Sequence, residues 1–379
     1  MKLIQLFNSS VVSGPENLTL QNLAPSGWDW ELWNLEETRV GLRSGLQLKD
    51  LCAQLGVTYR GFAVRSRHDF GAIRELREAL DHEKPGLVHA HDVKASSYLA
   101  WTRYDEAPWV STHHGVRGRP DFKSRLLELF YRRVVLKNFE QVIAVSAEDE
   151  KILRKNLGAR VALLRNALPT PPQGAGLPSK ENLRKSWSER FSWASSASEN
   201  LWAGFVGRLS AEKDPLFALE IADKMPSLNL LFFGDGILRA RLESEIATRG
   251  LGGRVACLGY DSHMAQSYEG LDAVLSVSSA EGLPLNLLEC GGRGVPFLAK
   301  AVGGIPEISL GEALRNTLMS PSSSPSDFAA RLESWRKHPL ERRRLGEALR
   351  ARVASDFSGT TWLANLASLY AKLGFKLSS

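Results

Sequence analysis

The stretch Ser279–Glu307, SAEGLPLNLLECGGRGVPFLAKAVGGIPE, decides how the chain folds. An acidic residue stands at a turn, Glu281-Gly282, and Pro284 opens an apolar run that ends on Glu289. Proline is tolerated in the first turn of a helix, where its missing N–H would be unpaired anyway. The pattern therefore predicts a loop through Glu281–Leu283 and a helix from about Pro284. Glu289 would sit roughly one and a half turns into that helix, beside Leu287, Leu288 and Cys290. A carboxylate there needs a partner, because an unpaired buried charge is costly. The helix start offers free N–H groups and a partial positive charge, which suit a phosphate. Alone, the stretch fits two readings equally: a capped helix with one solvated and one salt-bridged glutamate, or a site for a sugar or nucleotide.

Outward from this stretch, short apolar runs alternate with helical patterns, the signature of parallel sheets wrapped by helices. In the first half, strands are predicted at 2–7, 30–35, 58–63, 87–90, 109–112, 141–145 and 161–164. Helices are predicted there at 17–23, 45–55, 70–83, 94–103, 121–138 and 147–156. The proline- and glycine-rich segment 169–176 disfavours regular structure, and a polar helix at 179–190 and a serine-rich loop follow it. The alternation restarts with strands at 201–206, 229–233, 254–258, 273–276, 296–299 and 317–319. The helices of this half fall at 215–224, 237–249, 263–269, 285–293, 326–337 and 340–355, and a final one at 360–373. The expected plan is a first domain over 1–168, a linker region over 169–200, a second domain over 201–355 and a terminal segment over 356–379. Two α/β domains of similar size give a cleft between them, a common location for a ligand.

Composition narrows the class. The 379 residues are 43% hydrophobic and 24% charged, as in soluble globular proteins. No apolar run reaches the ~18 residues of a membrane span, and Leu3–Phe7 reads as a buried strand, not a signal-peptide core. Three separated cysteines, Cys52, Cys257 and Cys290, read as core residues of a reducing compartment, so the expected location is cytoplasmic. The net charge of +6 concentrates in 117–137, which holds seven basic side chains against two acidic. Such a patch attracts phosphates. Phe122, Leu126, Leu129, Phe130 and Val134 share a stripe of this segment. The simpler reading is a surface helix packed on the sheet; the sharper one is a helix that also meets an anionic membrane surface from the cytoplasmic side.

Several strand-to-helix loops could carry chemistry. Gly207-Arg208-Leu209-Ser210-Ala211-Glu212-Lys213 presents two cations that could grip a phosphate, or a solvated loop with an Arg208–Glu212 pair. Gly234-Asp235-Gly236 is a tight turn, with at most a minor ligand role. Ser13-Gly14-Pro15-Glu16 lets the backbone approach a ligand at Gly14, or is a plain turn; it is neither a Walker loop nor a Gly-x-Gly-x-x-Gly fingerprint. His89, His91, His113 and His114 close two strands as hydrogen-bond donors or packed residues, with His114 beside Gly115 the strongest candidate. No zinc-type spacing and no Asp-x-Asp is present, so no metal is expected.

Four loops occur in order in the second half: Gly207-Arg208 with Lys213, Gly234-x-Gly236, the pair Glu281 and Glu289, and Gly303-Gly304-x-Pro306-Glu307. Together they resemble the retaining, nucleotide-sugar-dependent glycosyltransferases of the GT-B fold, family four. The Gly14 loop, Thr112-x-His114-Gly115 and Val142–Ser146 match that family's first domain more loosely. The resemblance implies two Rossmann-like domains facing across a cleft, with the C-terminal helix crossing back to the first. It implies that Arg208 and Lys213 neutralise the donor diphosphate in place of a metal, and that Glu289 holds the ribose hydroxyls. Glu281, with the N–H groups of Gly282, Leu283 and Leu285, would hold the donor sugar and diphosphate. Gly14 and Gly234 would line the donor, Tyr260 would frame the base, and His114 would hydrogen-bond the sugar. Departures are Pro284 where many members have glycine, Asn166-Ala167-Leu168 in place of Asn-Gly-Val, and one glycine in the first loop.

The resemblance thus implies transfer of a sugar, with retention, from a nucleotide diphosphate to a glycan or lipid-linked acceptor, as in bacterial surface polysaccharide assembly. No cofactor beyond the donor and no nucleic-acid partner is expected. Retention without a clear nucleophile suggests front-face attack, with double displacement through Glu281 as the other route. Epimerisation, phosphorolysis or binding without catalysis are the competing functions of the same fold.

Overall fold

The computed structural model describes residues 1–9, 11–38, 47–66, 68–115, 122–168, 178–193 and 199–376. Contacts divide the chain into two units, Met1–Thr170 with Ser358–Ser379, and Pro171–Phe357.

The first unit runs β1 (Leu3–Phe7), α1 (Gly14–Leu23), β2 (Trp30–Glu37), α2 (Leu48–Gln54), β3 (Tyr59–Val64), α3 (Phe70–Glu83) and β4 (Leu87–Ala90). It continues with α4 (Val93–Thr102), β5 (Trp109–His113), α5 (Phe122–Phe130), β6 (Gln141–Ala144), α6 (Ala147–Leu157) and β7 (Val161–Leu163). The second comprises α7 (Lys180–Arg190), β8 (Leu201–Val206), α8 (Pro215–Lys224), β9 (Leu228–Phe233), α9 (Arg239–Thr248), β10 (Val255–Gly259) and α10 (Met264–Ser267). After these come β11 (Ala273–Ser276), α11 (Leu285–Gly292), β12 (Phe297–Lys300), α12 (Ile305–Ile308), β13 (Leu318–Met319), α13 (Pro325–Lys337) and α14 (Pro339–Asp356). The last helix, α15 (Gly359–Lys372), belongs to the first unit.

Both sheets are parallel, in the orders β3-β2-β1-β4-β5-β6-β7 and β10-β9-β8-β11-β12-β13. Strand order therefore reverses beside β1 in one sheet and beside β8 in the other. In open α/β sheets ligands bind beyond the carboxyl ends of the strands at such a reversal. Helices cover both faces, so the strands are mostly apolar, as at Leu228, Leu230, Leu231, Phe232 and Phe233, with buried polar residues such as Asn229, Gln5 and His89 among them.

Polar anchors fix α7 and α15. Asp272, buried just before β11, accepts from the Trp202 N–H and pairs with Lys180, Arg184 and Arg342 at 2.8, 2.6 and 3.0 Å. Burial alone would raise its pKa, and the Arg184, Lys180 and Arg342 cations hold it below the usual carboxylate range. Trp187 of α7 also packs on Trp202 and Phe233. Lys180–Arg190 is thus part of the second unit, although the sequence placed it in the linker region. Tyr370 of α15 reaches β1 and β4. Its hydroxyl accepts from the Gln5 amide at 3.2 Å and lies 2.6 Å from His89 Nδ1, while His89 Nε2 lies 2.7 Å from Thr112 Oγ1. The terminal helix returns to the first unit, as expected.

Three local expectations are corrected. Helix α1 starts at Gly14, not Asn17, because Glu16 turns back and accepts from the Ser13 N–H at 2.9 Å. Pro284 is the residue before α11, not within its first turn; its ψ of 121° is extended. Most of the described apolar stripe of 122–134 is open to solvent, with Leu129 half-buried and the side chain of Phe122 outside the described residues. Leu126, Phe130 and Val134 are exposed, and Tyr131 and Val135 of the following π-turn are the buried residues. Of the basic segment, Arg117 and Arg119 lie outside the described residues, as do the side chains of Lys123 and Arg125.

Candidate functional site

In the second unit the loops beyond β8, β9, β10, β11 and β12 are tied to one another by backbone. The Gly207 N–H donates to Phe233 O at 2.9 Å, Leu209 to Asp235 O at 2.9 Å, and Gly234 to Gly259 O at 2.7 Å. Ser279 donates to Glu212 O at 2.9 Å, and Gly304 to Gly282 O at 2.6 Å. Two glycines permit this closeness. A Cβ on Gly234, at φ +137°, would meet Gly207 O at 2.0 Å, and one on Gly303, at φ +56°, would meet Glu281 O at 1.8 Å. The glycine turns that the sequence could assign no strong role are therefore the joints of the site.

On this frame the expected residues converge. Lys213 Nζ lies 2.5 Å from Glu281 Oε1, with 22% and 8% of the two side chains exposed. Arg208 is exposed and forms no ion pair among the described residues, so the Arg208–Glu212 alternative is not realised. Pro284 gives α11 no side-chain cap, and of its first-turn N–H groups that of Leu287 donates to Asn286 Oδ1 at 3.0 Å. Leu283 is buried and pins the loop, while Gly282 spends its carbonyl on Gly304. Tyr260, after Gly259, is 45% exposed beside the Gly234 turn.

Glu289 finds the partner its burial demands: the Tyr268 hydroxyl donates to Oε2 at 3.0 Å. Burial pushes the Glu289 carboxyl above the usual range, and the Tyr268 hydrogen bond and Arg293 pull it back only in part. Tyr268 and Asn286, whose amide donates to Val206 O at 2.7 Å, escaped the sequence reading. Neither sits in a recognisable motif; Tyr268 meets Glu289 only through the fold.

His114 and Gly14 belong to the first unit. The His114 ring stacks at 6.1 Å from His91, which lies between His89 at 4.1 Å and Phe7 at 4.2 Å. Burial holds His89 down at about 3 and His91 well below the usual imidazole value, so both are neutral. Gly14 lies beside the Glu16 carboxylate, an unfavourable neighbour for a phosphate. Among the described residues no group of three or more His, Cys, Asp or Glu side chains is placed to hold a metal ion. No described helix is long and apolar enough to cross a membrane.

Known proteins are similar to this chain in sequence and in fold. The family model for Glycosyl transferases group 1 matches residues 187–352, and that for Glycosyltransferase Family 4 matches 37–170. EpsF of Bacillus subtilis (strain 168), a protein named as a glycosyltransferase, is 26% identical over 275 residues, 68% of this chain and 69% of its own. The D-inositol 3-phosphate glycosyltransferase of Mycobacterium tuberculosis is 31% identical over 128 residues, 31% of this chain and 25% of its own. Anabaena HepE, crystallised with UDP and glucose, superposes with a TM-score of 0.81 at 16% identity, covering 98% of this chain and all of HepE. One family model falls on each unit, the loop cluster lies in the group 1 match, and the chain belongs to the GT-B-fold glycosyltransferases, which use nucleotide sugars.

Proposed function

We propose that the protein transfers a sugar from a uridine diphosphate donor to a lipid-linked or anionic glycan, with retention and without a metal, in the assembly of a bacterial surface polysaccharide. The observation that carries this reading is the start of α11, where Pro284 supplies no cap and only the Leu287 N–H is taken, by Asn286 Oδ1, together with the unpaired Arg208 and the Lys213–Glu281 pair. A diphosphate bound there meets N–H donors, a guanidinium and an ammonium, which stabilise the charge that develops as it leaves. The ribose hydroxyls donate to Glu289, the base lies near Tyr260 and Gly234, and Glu281 with the N–H groups of Gly282, Leu283 and Leu285 holds the sugar. His114 is the residue that the family resemblance assigns to hydrogen-bonding the sugar. Uridine is the first base to test because HepE was crystallised with UDP.

In front-face transfer the bond from the anomeric carbon to the β-phosphate oxygen breaks and its electron pair stays on that oxygen. The acceptor oxygen bonds to the same face of the carbon, and its proton passes to the departing phosphate. Glu281 is held by Lys213, an arrangement that favours positioning over nucleophilic attack. The exposed Arg133, Val134 and Lys137 supply a basic and apolar edge for an anionic membrane surface.

A panel of UDP-, GDP- and ADP-sugars, assayed for slow nucleotide release with and without chelator, tests the donor. UDP release that survives chelation is expected, and the anomeric configuration of a product follows from its proton coupling. Absence of both release and thermal shift with every nucleotide refutes the reading.

A further inference from the structure

The geometry points to a groove in the first unit that takes the hydrocarbon chain of a single phosphate-bearing lipid acceptor. This rests on the glycosyltransferase reading above and names the acceptor class. A cavity of about 420 Å³ opens at the carboxyl ends of β2, β3 and β4, the edge at which such sheets bind ligands. Val93, two residues beyond His91, forms its wall with Trp101, Leu127 and Phe130, which are 52, 38, 40 and 49% exposed. Large apolar side chains left this open mark an interaction site.

Three features select the occupant. The polar atoms of the groove are already engaged: Tyr98 Oη accepts from the Asp69 N–H and donates to Ser66 O. Ser97 Oγ donates to Val93 O, and Tyr131 Oη donates to Ser96. The protons of these three hydroxyls are spent on the protein, so a sugar would find few donors on these walls, whereas a hydrocarbon needs none. The rim is basic, with Arg65, His68 and Lys94. Of the acids near it, Glu37 is neutralised by Lys94 at 2.8 Å and Asp69 is held by the backbone N–H groups of Arg65, Gly71 and Ala72; the Arg65 guanidinium forms no ion pair among the described residues and is the cation offered to an anionic headgroup. The volume suits one small-molecule ligand, while a protein partner would cover roughly 800 Å² of surface.

Monomeric farnesyl phosphate, titrated below its aggregation concentration, is the probe, alongside farnesol, inorganic phosphate and phosphatidylglycerol vesicles. Farnesyl phosphate is expected to bind at least about tenfold more tightly than farnesol, with inorganic phosphate not binding. Leu127→Ser with Phe130→Ser should weaken farnesyl phosphate about tenfold or more, and Arg65→Gln should remove the preference over farnesol. UDP affinity, a property of the second unit, should not change in these variants, and a parent-like urea unfolding profile of the first unit reports that they fold. No binding of farnesyl phosphate, or a loss below about twofold in the double variant, overturns the groove. So does a protein that sediments with vesicles yet ignores the monomeric lipid. If UDP binds and farnesyl phosphate does not, the groove alone fails; if neither binds, the donor reading fails too.

Discussion

Replacing Glu289 by glutamine separates a ligand role from a structural one. The carboxylate keeps one protein hydrogen bond, from Tyr268 at 3.0 Å, and burial raises its pKa. A raised folded pKa contributes stability below the unfolded value, and that stability is lost as pH rises through the folded value. Ionised Glu289 is thus a liability to the free protein at neutral pH. The neutral glutamine retains an acceptor for Tyr268, so the variant should be as stable as the parent, or more so. Binding should move the other way. Hydrogen bonds from two ribose hydroxyls to a charged oxygen contribute about 1.5–3 kcal/mol, so the Kd for UDP should rise roughly 10- to 150-fold. Calorimetric titration with UDP and 2′-deoxy-UDP closes the cycle. The deoxy penalty should be large in the parent and shrink to about threefold or less in the variant. In the parent, UDP affinity should also fall as pH is lowered through the raised pKa, because protonation removes the charge. A Kd within about twofold of the parent, or an undiminished deoxy penalty, would refute the placing of the ribose at Glu289.

Lys213→Met should weaken UDP binding more than Lys213→Met with Glu281→Gln, because the single change leaves a buried carboxylate uncompensated where the diphosphate should lie; equal losses by titration would contradict this. Gly234→Ala forces a Cβ to 2.0 Å from Gly207 O and should cost about 1–3 kcal/mol in urea unfolding and at least about tenfold in UDP affinity. Tyr370→Phe strands the Gln5 amide and His89 Nδ1, and should lower the stability of the first unit by about 1–3 kcal/mol. Acid should weaken the same unit. Neutral His89 and His91 take up protons only on unfolding below pH ~6.5, each removing up to about 1.4 kcal/mol per pH unit. Asp92, pushed up to about 6 by burial, opposes them by the same slope between about 6 and 3.8. Urea midpoints should therefore fall between pH 6 and 4.5, with a net slope of roughly 1.4 kcal/mol per pH unit; a flat profile would be inconsistent.

The second unit was more legible than the first. Its strands are runs such as Leu201–Val206 and Ala273–Ser276, whose boundaries hydrophobic continuity sets without help. Gly207, Arg208, Lys213, Glu281 and Gly303 could be singled out because loop chemistry is local. That they act as one body came only through the family resemblance, because Gly234 against Gly207 and Gly303 against Glu281 are contacts between distant segments. In the first unit, Gly14-Pro15 looked like a loop, but the Glu16 carboxylate draws those residues into α1. The stripe of α5 shows the limit of periodicity: a pattern states which residues share a face, not whether anything covers it. Asp272 was equally opaque, since its three cations come from α7 and α14.

The charges of the loop cluster also explain how the site can exist without a ligand. Two cations gathered for a diphosphate would repel each other and the start of α11 in the empty protein. Pairing Lys213 with Glu281 removes one charge from that balance and leaves Arg208 in water, where an unpaired guanidinium is well tolerated. The carboxylate most exposed to the field of an arriving diphosphate is therefore the one with an ammonium already in contact. Glu289 is neutralised by no such cation at its carboxyl and meets hydroxyls, which carry no charge. In the proposed donor placement, the two glutamates eight residues apart in the opening stretch would meet different parts of one ligand, the charge-paired one the diphosphate side and the hydroxyl-paired one the ribose side.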